Sequence, residues 1–193
     1  MHSSPLEDTL RLFGKERFRP MQRELMECAL AGRSCIGILP TGSGKSLCYQ
    51  IPAVLGDGVT VVVSPLIALM RDQVAGLEKL GVAAARYDSS LAEEEKGALL
   101  DSLKSGAVRL LFAAPESLES PWMRQAMEFV SPGLFVVDEA HCLSEWGHSF
   151  RPDYLGLPVF FKKHGFRSVM ALTATATERV CRDLAALFDV QED

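Results

Sequence analysis

Cys35-Ile36-Gly37-Ile38-Leu39-Pro40-Thr41-Gly42-Ser43-Gly44-Lys45-Ser46 passes from an apolar run into a glycine-containing turn and then a lysine. Cys35 to Leu39 reads as a short buried strand, and the residues through Ala53 read as the helix after the turn. Glycine has no Cβ, so backbone N–H groups in such a turn can close around an anion. Thr41, Gly42, Ser43 and Gly44 would form that cradle, with Lys45 reaching the outer phosphates of a nucleotide and the Ser46 hydroxyl ligating Mg²⁺. A lysine just inside a helix meets the positive end of the dipole and is unfavourable without an anion. The stretch departs from the general phosphate-loop pattern at its first position, which is Leu39 and not glycine.

A second stretch completes the pattern. Asp138-Glu139-Ala140-His141 follows the apolar run Leu134-Phe135-Val136-Val137. Adjacent carboxylates at the end of a buried strand are costly unless a cation or hydrogen-bond donors meet them. Asp138 is expected on the Mg²⁺ shell and Glu139 as the base that polarises an attacking water. His141 is open to three readings: a hydrogen bond to Thr173 or a glutamine, a contact to a second lobe, or a satisfied buried histidine. The expected catalytic set is therefore Lys45, Asp138, Glu139 and His141, and the expected ligand is ATP or GTP.

Apolar and amphipathic runs alternate around these stretches. Ser4-Pro5-Leu6-Glu7 reads as a capped helix start ending near Gly14, and a second helix is expected from near Pro20 to Ala31. Strands are expected at Val59–Ser64, Ala83–Tyr87, Val108–Ala113, Leu134–Val137 and Ser168–Leu172. Helices are expected to open at Ser64-Pro65, at a Ser90–Glu93 capping box, and at Thr175-Ala176-Thr177-Glu178. Strands separated by helices imply right-handed crossovers, a mostly parallel sheet and helices on both faces, an α/β fold in three α/β/α layers. Ligands in such sheets sit at strand carboxyl ends, where both stretches fall.

The composition narrows the function classes. The chain has 193 residues, 48% hydrophobic and 23% charged, ordinary for a globular domain. No apolar run approaches the ~20 residues that cross a bilayer, so no membrane role is expected. A net charge of −5 argues against the whole surface binding a polyanion. Local basic clusters remain at Arg11, Lys15, Arg17, Arg19 and Arg23, and at Arg151, Lys162, Lys163 and Arg167. The five cysteines form no C-x-x-C pair, which suits a reducing, cytoplasmic compartment. Cys142 with His141 and His148 is a weak zinc pattern beside the simpler reading of a packed thiol.

Longer matches carry a resemblance. Asp138–His141 and Ala171-Leu172-Thr173-Ala174-Thr175-Ala176 resemble motifs II and III of superfamily 2 helicases. The stretch from Asp138 through Trp146, Phe150 and Arg151 to Tyr154 resembles the RecQ family of DNA helicases, as do Phe13–Gln22, Leu39–Gln50 and Val63–Val74. The resemblance implies a RecA-like P-loop fold, with residues 1–31 as a helical adenine-recognition extension and the whole of 1–193 as one ATP-binding lobe. It implies that Gln22, beside Arg19, reads adenine, a bidentate fit that favours ATP over GTP. The chain also lacks the Asn-Lys-x-Asp pattern of guanine readers. Phe13 and Phe18 are candidates for the adenine pocket.

The resemblance further implies that Trp146, His148, Phe150 and Arg151 form an aromatic-rich loop that senses single-stranded DNA, and that Ser64 and Arg71 meet the DNA backbone. Aromatic faces with an arginine suit this role, since stacking contributes about 1–3 kcal/mol per base. The expected partners are single-stranded and partly duplex DNA and a second RecA-like lobe, which this sequence does not contain. Such a lobe supplies the arginines that complete the ATP site, so the isolated chain is expected to bind Mg·ATP, hydrolyse it feebly and not unwind DNA. The family resemblance implies 3′→5′ travel and, in a bacterium, association with the nucleoid. The rival readings are a noncatalytic nucleotide- or DNA-binding module and an RNA helicase of the same superfamily.

Overall fold

Val61, Val62 and Val63 are all fully buried, so the strand that carries them is covered on both faces. That strand belongs to a six-stranded sheet in a computed structural model that describes residues 4–147 and 149–190. In chain order the helices and strands are α1 (Pro5–Leu12), α2 (Gln22–Leu30), β1 (Cys35–Ile38), α3 (Leu47–Leu55), β2 (Val59–Val63), α4 (Ile67–Lys79) and β3 (Ala84–Tyr87). They continue as α5 (Glu93–Lys104), β4 (Leu110–Ala113), α6 (Pro121–Met127), β5 (Pro132–Val137), α7 (Leu157–His164), β6 (Ser168–Thr173) and α8 (Glu178–Phe188). The sheet order is β1-β6-β5-β2-β4-β3, and each pairing is parallel.

Alternation along the strands builds two cores. Val61, Val63, Phe135, Val137, Val169 and Ala171 face one side, where Leu103, Met123, Phe160 and Leu184 cover them. Val62, Leu110, Val136, Met170 and Leu172 face the other, against Leu25, Tyr49, Met70 and Leu77. Period-two strands with both faces apolar require this three-layer solution. α1 and α2 close a smaller cluster of Leu6, Leu10, Met26 and Ile51 against α3. Among the described residues no helix is long and apolar enough to cross a membrane.

Several boundaries differ from the sequence reading. α5 starts at Glu93 with Glu95 accepting from the Ala92 N–H at 2.8 Å, while Ser90 turns back to Asp88. The buried Asp88 carboxylate takes the hydroxyl that would have capped the helix. α4 starts at Ile67 and not at Ser64-Pro65, because the Ser64 N–H still pairs with the Ala113 carbonyl at 3.1 Å as an extension of β2. α6 and α7 were not expected. Each is short, yet each has end signals: Ser120 accepts from the Met123 N–H ahead of Pro121, and Gly165 with φ +68° stops α7.

Candidate active site

The ladder of the sheet runs one residue past each strand, and the reactive side chains come next. Leu39 N–H donates to the Thr173 carbonyl at 2.9 Å, and Asp138 N–H donates to the Val63 carbonyl at 2.9 Å. The departure at Leu39 now has a reason: Leu39 is buried and paired with β6, so the turn begins only after it. Because β6 lies between β1 and β5, Thr173 stands between the glycine turn and the acidic pair, with Ser64 on the far side of Asp138.

Gly42 and Gly44 have φ of +77° and +83°, values that open the turn. A Cβ on Gly44 would sit 2.7 Å from Gln22 Nε2, so a side chain there would displace the Gln22 amide as well as strain the φ of +83°. Thr41 and Gly42 are exposed, and the Ser43 hydroxyl is buried without a hydrogen-bond partner. Ser46 is the N-cap of α3, so Lys45 precedes the helix and is not inside it. Its ammonium lies 3.1 Å from Glu139 Oε1 and 4.0 Å from Asp138 Oδ1. The acidic pair supplies the charge that neutralises Lys45.

Burial raises the Asp138 carboxyl above its ordinary value, the Lys45 charge opposes this, and the Glu139 charge adds to it. Glu139 has φ +50°, a left-handed turn that aims both carboxylates at Lys45. Two bonds fix that turn: Glu139 N–H donates to Asp138 Oδ1 at 3.0 Å, and the fully buried Tyr154 hydroxyl donates to the Asp138 carbonyl at 3.1 Å. Tyr154 as a positioning group was not anticipated. His141 takes the first of its three readings, with Nδ1 2.9 Å from Thr173 Oγ1. The Thr173 proton goes to the Thr175 carbonyl at 2.9 Å, so Thr173 accepts and His141 Nδ1 carries the hydrogen. That Nδ1 is also 3.3 Å from Glu139 Oε2. Lys45, Glu139, His141 and Thr173 thus form one continuous polar chain.

Gln22 does not present its amide to an incoming base. It is 1% exposed; Nε2 donates to the Ser43 and Gly44 carbonyls at 2.9 and 3.2 Å, and Oε1 accepts from Arg19 N–H at 2.8 Å. The Arg19 guanidinium donates to the Gly42 carbonyl. Both residues therefore brace the glycine turn from behind. Phe13 and Phe18 are partly buried against the α1–α3 cluster, and Arg23 lies over the Phe18 ring.

The residues expected to meet DNA divide. Ser64 is only 3% exposed, and its buried hydroxyl lies against Asp138, whose pKa it helps to lower, so it does not face a ligand laid on the surface. Arg71 is exposed and donates to Ser90 Oγ at 3.1 Å, joined there by Arg86, which was not singled out from the sequence. Trp146 is 59% exposed, Phe150 is half-buried and Arg151 is exposed. His148 lies outside the described residues. A Cβ on Gly147 would overlap the His141 carbonyl oxygen, so the loop crosses directly over the acidic motif. The basic clusters do not merge into one groove: Arg23 pairs with Glu7 and Glu27, Lys162 with Asp189, and Arg167 with Asp57.

The DEAD/DEAH box helicase family model matches residues 19–184, which include the glycine turn, the acidic pair and the Thr173 segment. The chain belongs to the DEAD/DEAH box helicase family. It is 44% identical over 188 residues to the probable ATP-dependent DNA helicase RecS of Bacillus subtilis, covering 96% of this chain and 38% of that protein. It is 42% identical over 183 residues to the ATP-dependent DNA helicase RecQ of the same organism, covering 94% and 31%. The RecQ resemblance read from the motifs is thus shown along the chain, which spans about a third of those relatives' length. The crystal structure of a hypothetical ATP-dependent RNA helicase from Sulfolobus tokodaii superposes with TM-score 0.72 at 20% identity, covering 100% of this chain and 56% of that one. The DUF1998 helicase MrfA bound to DNA and AMPPNP superposes with TM-score 0.72 at 18% identity, covering 98% and 29%. At these identities the structures establish the RecA-like fold of the family.

Proposed function

We propose that this chain is the first RecA-like lobe of a RecQ-type ATP-dependent DNA helicase, binding Mg·ATP and single-stranded DNA. The observation that carries the reading is the Lys45 ammonium 3.1 Å from Glu139 and 4.0 Å from Asp138, at the carboxyl ends of the strands. The donor set fits the group. Among the described residues no cluster of three or more metal-ligating side chains gathers. One buried carboxylate and one hydroxyl suit an ion that arrives with phosphate oxygens and keeps its waters. Bound ATP with its ion supplies the bond to be broken and a divalent charge at Asp138.

The chain's own residues do the rest. Lys45, relieved of its place beside the acids, reaches the phosphates, and the Gly42–Gly44 turn surrounds them with N–H groups. Ser46 and Asp138 hold the ion. Glu139 takes the proton of the attacking water, beside the His141 ring 3.3 Å away that Thr173 holds in place. The family resemblance supports adenine reading by Gln22 and Arg19, and for that the Gln22 amide would have to leave the Ser43 and Gly44 carbonyls it now bonds. Trp146, Phe150 and Arg151 offer stacking faces and charge to a single strand, with His148 from the same loop. Arg71, exposed on α4 and bonded to Ser90, offers a further positive charge to the strand's backbone. A second lobe completes the site, and DNA repair or recombination in a cytoplasmic setting, nucleoid-associated in a bacterium, is the wider role that follows. The named DNA helicases among the relatives favour DNA over RNA, and competition between matched strands checks this.

The deciding experiment pairs Glu139→Gln and Trp146→Ala with the second lobe supplied. The first should retain nucleotide binding and lose hydrolysis about 10²–10⁴-fold. The second should keep basal turnover and lose stimulation by single-stranded DNA. Turnover untouched by Glu139→Gln leaves a noncatalytic binding module as the better reading.

A further inference from the structure

α8 begins immediately after the Thr173–Thr175 segment, and its outer face holds the aromatic loop at two points one helical turn apart. Ser144, 2% exposed, donates to Asp183 at 2.5 Å and accepts from the Trp146 N–H at 3.2 Å. Four residues earlier on the same helix face, the Arg179 guanidinium lies 3.4 Å from the centroid of the Trp146 ring. Neither Arg179 nor Asp183 belongs to the motifs that pointed to DNA. Trp146 is still 59% exposed although Arg179 covers one of its faces, so its other face is open to solvent. Beside the ring is a cleft of about 260 Å³ bounded by His141, Gly147, Thr175, Thr177 and Val180.

We infer that Arg179 is a positioning residue for DNA binding: it backs the indole of Trp146 and presents the ring's far face to a nucleobase. An exposed tryptophan on a loop is costly to order when a base arrives, and a side chain already held flat avoids that cost. Arginine suits the position because its guanidinium is planar and stacks, whereas lysine offers only a point charge. Asp183 keeps the loop stem in register through Ser144, so ring and stem are held by one rigid element. The inference rests on the reading that Trp146 stacks on DNA.

The test measures binding of a fluorescein-labelled oligothymidylate by anisotropy, over a salt series, to the unaltered chain, Arg179→Lys, Trp146→Ala and the double variant. Arg179→Lys should weaken binding two- to fivefold, the range expected for an exposed cation–π contact, with the salt slope unchanged because the charge is kept. In the Trp146→Ala background the same change should have no effect. If Arg179→Lys binds like the unaltered chain or more tightly while Trp146→Ala weakens binding, the positioning role is wrong. An Arg179→Lys loss that persists without Trp146 means that Arg179 meets the DNA directly, which also overturns it. Unchanged binding by Trp146→Ala removes the underlying reading of the loop, and with it the inference.

Discussion

Lys45 and Glu139, separated by 94 positions in the chain, meet at 3.1 Å. The contact closes the ends of β1 and β5 across β6, with Asp138 4.0 Å from the same ammonium. Opposite charges from two distant strand ends hold the site together.

Replacing Lys45 with alanine should therefore remove the phosphate contact and leave two carboxylates without their cation. ATP turnover should fall about 10²–10³-fold, as for the loss of one charge-stabilising donor. Thermal melts should also lose the Mg·ATP-dependent rise in midpoint. A normal rise would show that phosphates are held elsewhere.

Asp138 sets a pH dependence whose sign follows from burial. Its folded-state pKa is raised, chiefly by desolvation, above the ordinary 3.8. The stability it contributes is thus full below that value and is lost as pH rises through the raised one. Asp138→Asn should melt at a higher temperature than the unaltered ligand-free chain at pH 7, and the gap should close on acidification below about 4. Parallel melting curves across that range would contradict the assignment.

Tyr154→Phe removes the donor to the buried Asp138 carbonyl without emptying the space. An unsatisfied buried carbonyl costs about 1–3 kcal/mol. Urea unfolding should show a loss of that order, and a crystal structure should show the left-handed turn at Glu139 relaxed. An unchanged urea midpoint would exclude the positioning role.

Gly147→Ala places a methyl group on the His141 carbonyl oxygen, and no side-chain rotation relieves a clash with backbone. Overpacking of this kind costs about 1–3 kcal/mol. The loop should lift away from His141, lowering stability and blunting the response to single-stranded DNA. Full retention of both would mean that the loop does not lie over the acidic motif.

Much of this was legible from residue order. The continuous apolar runs at Val59–Val63 and Leu134–Val137 mark strands covered on both faces, and the turn after β1 and the acids after β5 mark the site. α6 and α7 escaped because each is too short to show an apolar period, although Ser120-Pro121 and Gly165 are end signals that a search for caps alone would find. The resemblance placed Ser64 on the DNA backbone, and burial beneath the strand ends places it beside Asp138.

By itself the chain's order of residues determined the parallel three-layer architecture and marked the two stretches, the glycine turn and the acidic pair, that meet at the strand ends. Local periodicity and turn chemistry depend only on neighbours within a few positions. Tertiary structure alone decided partners: Gln22 against the glycine turn, Thr173 as the acceptor for His141, Tyr154 under Asp138 and Arg179 against Trp146. Each of these pairs is at least 16 positions apart in the chain, and short-range pattern carries no signal of contact at that separation.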